Sequence, residues 1–131
     1  RVKTVGKPLP DIEVKIVDDN GNELPPGKVG EIICRGYNVM KGYYKAPELT
    51  AQTIKNGWLY TGDLGVMDER GYITFKGRKK ELVIVGGYNV YPIEIESYIR
   101  QFEKVHEVAV VGVPDEDLGE VVACAVIPKD G

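Results

Sequence analysis

The sequence predicts an α+β fold: a small antiparallel, barrel-like β subdomain over residues 1–79, then the start of a small α+β domain over residues 80–131 with a three-stranded sheet. Three observations carry this. Short apolar runs separated by Gly, Pro, Asn and Asp recur through the first part, the spacing of a compact all-β unit. A helix with proline at its start follows a double glycine near residue 90. Two further apolar runs, each too short for a helix, then complete a three-stranded sheet.

In chain order, Ile12 to Val17 alternates apolar and charged residues, as a half-buried strand does, and breaks at Asp18-Asp19-Asn20-Gly21-Asn22. Those turn residues supply local hydrogen bonds and left-handed backbone angles. Pro25-Pro26-Gly27 makes a second turn, and Gly30 to Arg35 a further strand. Pro47 to Ile54 reads as a short helix, with proline at its first position and Glu48 in its first turn, ended by Asn56-Gly57. Met67 to Phe75 is a strand, turn, strand pattern about Asp68 to Gly71.

The densest stretch runs from Gly77 to Glu96, G-R-K-K-E-L-V-I-V-G-G-Y-N-V-Y-P-I-E-I-E. Leu82 to Val85 is β-branched and apolar, a buried strand that Gly86-Gly87 ends. Asn89 to Tyr91 lead extended into Pro92, where a helix starts, because a residue before proline avoids helical geometry while proline suits the first turn. Glu94 and Glu96 favour the positive end of the helix dipole, and Ile95, Ile99 and Phe102, with Tyr98 beside them, form an apolar face. Val108 to Val113 and Val121 to Ile127 are strands about the polar turn Pro114 to Asp117.

Composition narrows the function classes. Hydrophobic residues make up 43% and charged residues 28%, with a formal net charge of −3, so no bulk affinity for nucleic acid is implied. No apolar run approaches the ~20 residues that span a bilayer, and no signal-peptide pattern opens the chain, so the expected setting is cytoplasmic without membrane insertion. Cys34 and Cys124 sit singly in strand-like runs, without C-x-x-C spacing, and read as buried, reduced thiols. His106, the one histidine, is assigned no role.

Together with W-L-Y-T-G-D-L-G at Trp58 to Gly65, the Gly77 to Glu96 stretch resembles the adenylate-forming superfamily of acyl-CoA synthetases, luciferases and peptide-synthetase adenylation domains, most closely the fatty-acyl-CoA ligases. The likeness runs from V-G-K-P-L-P at Val5 to the end. Two long motifs in the right order carry it; a lone T-G-D would be weak. Lys80, with N-V-Y-P after the glycines in place of an R-I-E-L-G type of sequence, favours an acyl-CoA ligase over a peptide-synthetase domain. The resemblance implies the end of a large N-terminal AMP-binding domain over residues 1–79 and the incomplete start of the C-terminal domain over residues 80–131. Both ends are expected to be cut, Arg1 falling inside a strand-like run and Gly131 following another.

The resemblance also implies site residues. Asp63 matches the ribose-binding aspartate, whose carboxylate accepts hydrogen bonds from both hydroxyls of a cis-diol. By spacing alone it serves equally as a turn-stabilising residue, and Thr61 and Gly62 read as shaping that turn. Arg78 matches an arginine near ribose and phosphate, a task suited to a permanently charged planar fork; read alone it is a solvated charge beside Lys76, Lys79 and Lys80. Lys80 falls at the hinge where the C-terminal domain changes orientation between half-reactions. Gly87 matches the glycine lining the pantetheine path of CoA, and is at the same time a plain turn glycine. Ile84 stands where relatives carry a polar residue. The implied substrates are ATP, CoA and a small carboxylic acid, with Mg2+ held by parts of the parent outside this chain. The phosphate loop, the adenine motif and the catalytic lysine are missing from this sequence, so the segment by itself is expected to be inactive. Its second half, at roughly fifty residues, lies below the ~70–80 at which one core is usually sufficient, and an open apolar face is expected to make the isolated chain self-associate as a homo-oligomer.

Overall fold

The structure, a computed structural model, describes residues 4–129; the readings made at Arg1 and Gly131 lie outside the described residues. These form two compact units divided between Phe75 and Lys76. The α+β class holds, with strands predominating and the first sheet curled into a half-barrel.

The first sheet is built from β1 (Glu13–Val17), β2 (Val29–Arg35), β3 (Ile54–Lys55), β4 (Trp58–Met67) and β5 (Ile73–Arg78), with α1 (Pro47–Thr53) between β2 and β3. Strand order is β1-β2-β4-β3, and β5 pairs with β4 off this path. Ile16, Val17, Ile33, Leu64 and Ile73 are its buried apolar side chains. The turns are closed by aspartates acting locally. Asp18 accepts the Asn22 side-chain amide at 3.0 Å and the backbone N–H of Asn22 and Asn20 at 2.9 Å each, which together lower its pKa below the usual 3.8. Asp68 repeats the device, accepting the N–H of Arg70 and Tyr72 at 2.9 and 2.8 Å before β5. Asn56 and Gly57, both at positive φ, form a two-residue hairpin turn joining β3 to β4 rather than simply ending the helix, the geometry that Asn-Gly favours.

The second unit holds β6 (Val83–Val85), β7 (Tyr88–Val90), α2 (Pro92–Ile99), β8 (Val105–Asp115) and β9 (Gly119–Pro128). Its sheet has four strands in the order β7-β6-β9-β8, not three: the extended lead into Pro92 pairs back on β6. Gly86 and Gly87, at φ 54° and 86°, supply the two left-handed residues that such a tight hairpin requires. The strand read as buried from Leu82 to Val85 buries only Val83 fully, with Ile84 facing outward. β8 runs through Pro114 to Asp115, so the polar turn is Glu116 to Leu118. Pro114 fits there because β8 lies at the sheet edge, where a missing N–H is tolerated. His106 lies inside β8, at its register shift.

α2 begins at Pro92 and ends at Ile99, leaving Phe102 beyond it, exposed and edge-on to Tyr98 at 5.7 Å between ring centroids. Its acidic residues do more than complement a dipole. Glu94 pairs with Lys76 at 2.6 Å, and Glu96 accepts the N–H of Val110 on the edge strand at 3.0 Å. This bond occupies part of an edge that would otherwise recruit another strand. Val108 and Val110 are buried on the α2 side of the sheet. Cys124, paired opposite Val110, is exposed and Cys34 half-buried, correcting the expectation of two buried thiols, because an eight-residue helix covers only part of a ten-residue strand. Burial raises the Cys34 pKa.

Candidate functional site

The T-G-D motif lies inside β4 as a bulge, not at a turn. β2 and β4 pair Glu31 with Leu64 and Ile33 with Tyr60, so Ile32 alone stands opposite Thr61, Gly62 and Asp63. Residues pushed out of a ladder in this way lose their cross-strand hydrogen bonds, and the strand bends. Here the lost bonds are replaced. The Thr61 hydroxyl donates to the Ile32 carbonyl at 2.7 Å and accepts the Asp63 N–H at 3.1 Å. The Gly62 N–H donates to the Glu31 carboxylate at 3.0 Å. Gly62 has φ +72°, with open space where a side chain would be; the glycine is needed for its backbone angle, not for room. Asp63 follows, half-buried.

Glu31 is the residue that sequence reasoning missed. It is 8% exposed, the single buried charged residue among those described. Its signal was present in V-G-E-I-I-C, an acid embedded in an apolar run. Burying a carboxylate is costly unless it is hydrogen-bonded, so such a residue carries a specific contact.

The other predicted residues belong to the second unit and follow one another along consecutive segments. Arg78 ends β5 and is exposed. Lys80 is the middle residue of a single 3-10 turn, Lys79–Glu81, closed by the Leu82 N–H on the Lys79 carbonyl at 3.3 Å. Gly87 is at the tip of the β6–β7 hairpin, with nothing within 4 Å of a Cβ added there. That hairpin is tied to β9: the Gly86 N–H donates to the Leu118 carbonyl at 2.9 Å, and the Ile84 N–H to the Glu120 carboxylate at 2.8 Å. Position 84 thus works through its backbone while its apolar side chain faces outward.

Among the described residues no group of three or more His, Cys, Asp or Glu is arranged to hold a metal ion. Among the described residues no helix is long and apolar enough to cross a membrane.

Residues 1–44 match the AMP-binding enzyme family and residues 94–131 the AMP-binding enzyme C-terminal domain. A long-chain-fatty-acid–CoA ligase of Escherichia coli O6:H1 is 50% identical over 127 residues, 97% of this chain and 23% of that protein. The chain belongs to the adenylate-forming, AMP-binding superfamily. The fold agrees with this membership. The o-succinylbenzoate CoA synthetase of Bacillus subtilis, solved with its acyl-adenylate intermediate, superposes with TM-score 0.94 at 37% identity, over 100% of this chain and 27% of that one. An amide bond synthetase from Marinactinospora thermotolerans superposes with TM-score 0.91 at 46% identity, over 98% of this chain and 26% of that one. The chain therefore spans about a quarter of the length of the relatives it matches.

Proposed function

We propose that this chain is the segment of an AMP-forming acyl-CoA ligase that holds the ATP ribose and carries the domain hinge. In the first half-reaction a substrate carboxylate oxygen attacks the α-phosphorus of ATP, forming an acyl-adenylate and releasing pyrophosphate. In the second, the CoA thiolate attacks the acyl carbonyl and AMP leaves. The observation that carries the reading is the bulge in β4, which presents the Asp63 carboxylate on a backbone held by Thr61 and Glu31. A carboxylate so held can accept hydrogen bonds from both ribose hydroxyls without a metal. Arg78 is assigned to the same ribose and its phosphate. Lys80, in a turn one step long, is assigned to the hinge, and Gly87, open where a side chain would project, to the pantetheine arm of CoA. Residues 1–79 are assigned to the end of the large N-terminal domain and residues 80–131 to the start of the C-terminal one. Mg2+ is assigned to parts of the parent outside this segment, and the segment alone is assigned no catalysis. The acid is proposed to be a fatty acid, in a cytoplasmic enzyme, by likeness to the long-chain ligase.

The test is a panel of carboxylic acids offered to the full-length enzyme with ATP and CoA, following pyrophosphate release and acyl-CoA formation separately. Fatty acids should give both. A second reading is favoured by the amide bond synthetase among the relatives: the same adenylate passed to an amine. Pyrophosphate release with no acyl-CoA, and product only with an amine acceptor, would decide for it.

A further inference from the structure

Three residues of β4 opposite one of β2 leave the main chain of the bulge without its ladder partners, and nothing in strand pairing fixes where Asp63 then points. Two side chains take over that task. Glu31 holds the Gly62 N–H at 3.0 Å. Thr61 bridges, donating to the Ile32 carbonyl across the gap and accepting the Asp63 N–H. The peptide groups on either side of the Gly62 Cα, the second of which carries the Asp63 N–H, are thereby anchored to β2, which fixes the main chain leading into Asp63. Glu31 stays buried although an apolar residue there would avoid the cost of desolvating a carboxylate. A bulge needed only to bend a strand would not require that charge.

We propose that Glu31 and Thr61 are positioning residues for Asp63: they hold its main chain so that both carboxylate oxygens meet a vicinal diol. This rests on the reading of Asp63 as the ribose acceptor. Preorganisation of this kind matters because two hydrogen bonds to a diol demand one orientation of the carboxylate, and small misplacements weaken both.

The discriminating measurement is the ratio of KM for 2′,3′-dideoxy-ATP to KM for ATP in the full-length enzyme, since only a contact with the diol moves that ratio. Asp63→Ala should bring it close to unity. Glu31→Ala and Thr61→Val should each lower it about three- to tenfold, chiefly through KM for ATP with kcat less affected. Glu31→Gln and Thr61→Ser, which keep an acceptor and a hydroxyl, should restore most of it; where Glu31→Ala does not fold, Glu31→Leu, which fills the buried position without an acceptor, takes its place. In the Asp63→Ala background, Glu31→Ala should add nothing further to KM for ATP. A wild-type enzyme that does not distinguish the two nucleotides would overturn the ribose reading, and the positioning roles with it. A wild-type ratio that Asp63→Ala abolishes but Glu31→Ala (or Glu31→Leu) and Thr61→Val leave intact would overturn the positioning roles alone.

Discussion

Gly62 at φ +72° and Asp63 after it bring together a backbone requirement and a chemical one within two residues. If Asp63 accepts the ribose hydroxyls, Asp63→Ala removes charge-assisted hydrogen bonds of about 1.5–3 kcal/mol. KM for ATP in the full-length enzyme should rise roughly ten- to a hundredfold. Steady-state kinetics with ATP varied checks this, and unchanged ATP kinetics in a folded variant would refute the assignment. T-G-D was legible as a motif because its three residues are adjacent. The Glu31 contact was not, since its partner lies 31 residues away and only the pairing of β2 with β4 brings them together.

Within the first sheet, Gly30 and Gly65 are cross-strand partners in β2 and β4. A Cβ at Gly30 would collide with the Val17 carbonyl oxygen and come within 2.6 Å of Leu24 Cδ1. At Gly65 the nearest atoms are Ile32 Cδ1 and Cγ1 at 2.7 and 2.9 Å, on a side chain, with the Thr74 carbonyl oxygen farther off at 3.1 Å. Backbone yields less readily than a side chain, so Gly30→Ala should lower stability by about 1–3 kcal/mol and Gly65→Ala by less. Denaturant unfolding of both variants tests the order, and equal losses would contradict it. The 3-10 turn at Lys80 belongs to the same scale. Proline fixes φ near about −65°, which such a turn accommodates, but forbids the excursion that a pivot needs. Lys80→Pro should therefore depress thioester formation much more than acyl-adenylate formation, measured as separate half-reactions. Equal loss in both, with folding intact, would make Lys80 an ordinary turn residue.

For the molecule as a whole, apolar side chains are exposed on both faces of the second sheet. Val108 and Val110 are buried, but Val122 and Val126, on their face by the β8–β9 register, are 36% and 47% exposed, and on the other face Val111, Val113 and Ile127 are 55%, 40% and 53% exposed. A contiguous apolar surface of this kind is costly in water and is generally covered by another surface. The isolated 131-residue chain is expected to self-associate through this face, and sedimentation equilibrium at about micromolar concentration is the measurement. A strictly monomeric, cooperatively folded chain would show that the exposed valines need no cover.

The sequence by itself determined the features whose causes are local. Proline starts α1 and α2; Asp18 and Asp68 close turns with bonds to residues two and four positions on; Gly86-Gly87 makes a hairpin; and adjacent residues spell the two long motifs. These depend on backbone angles and near neighbours, which spacing records. What required the tertiary structure were the contacts between distant segments. The register of β2 on β4 made T-G-D a bulge and gave Glu31 its partner. The pairing of β7 on β6 made a fourth strand, Glu96 found the Val110 N–H on an edge, and a short helix left Cys124 exposed. Each depends on which strand lies beside which, and in what register. Local residue patterns do not encode that choice until the chain has packed.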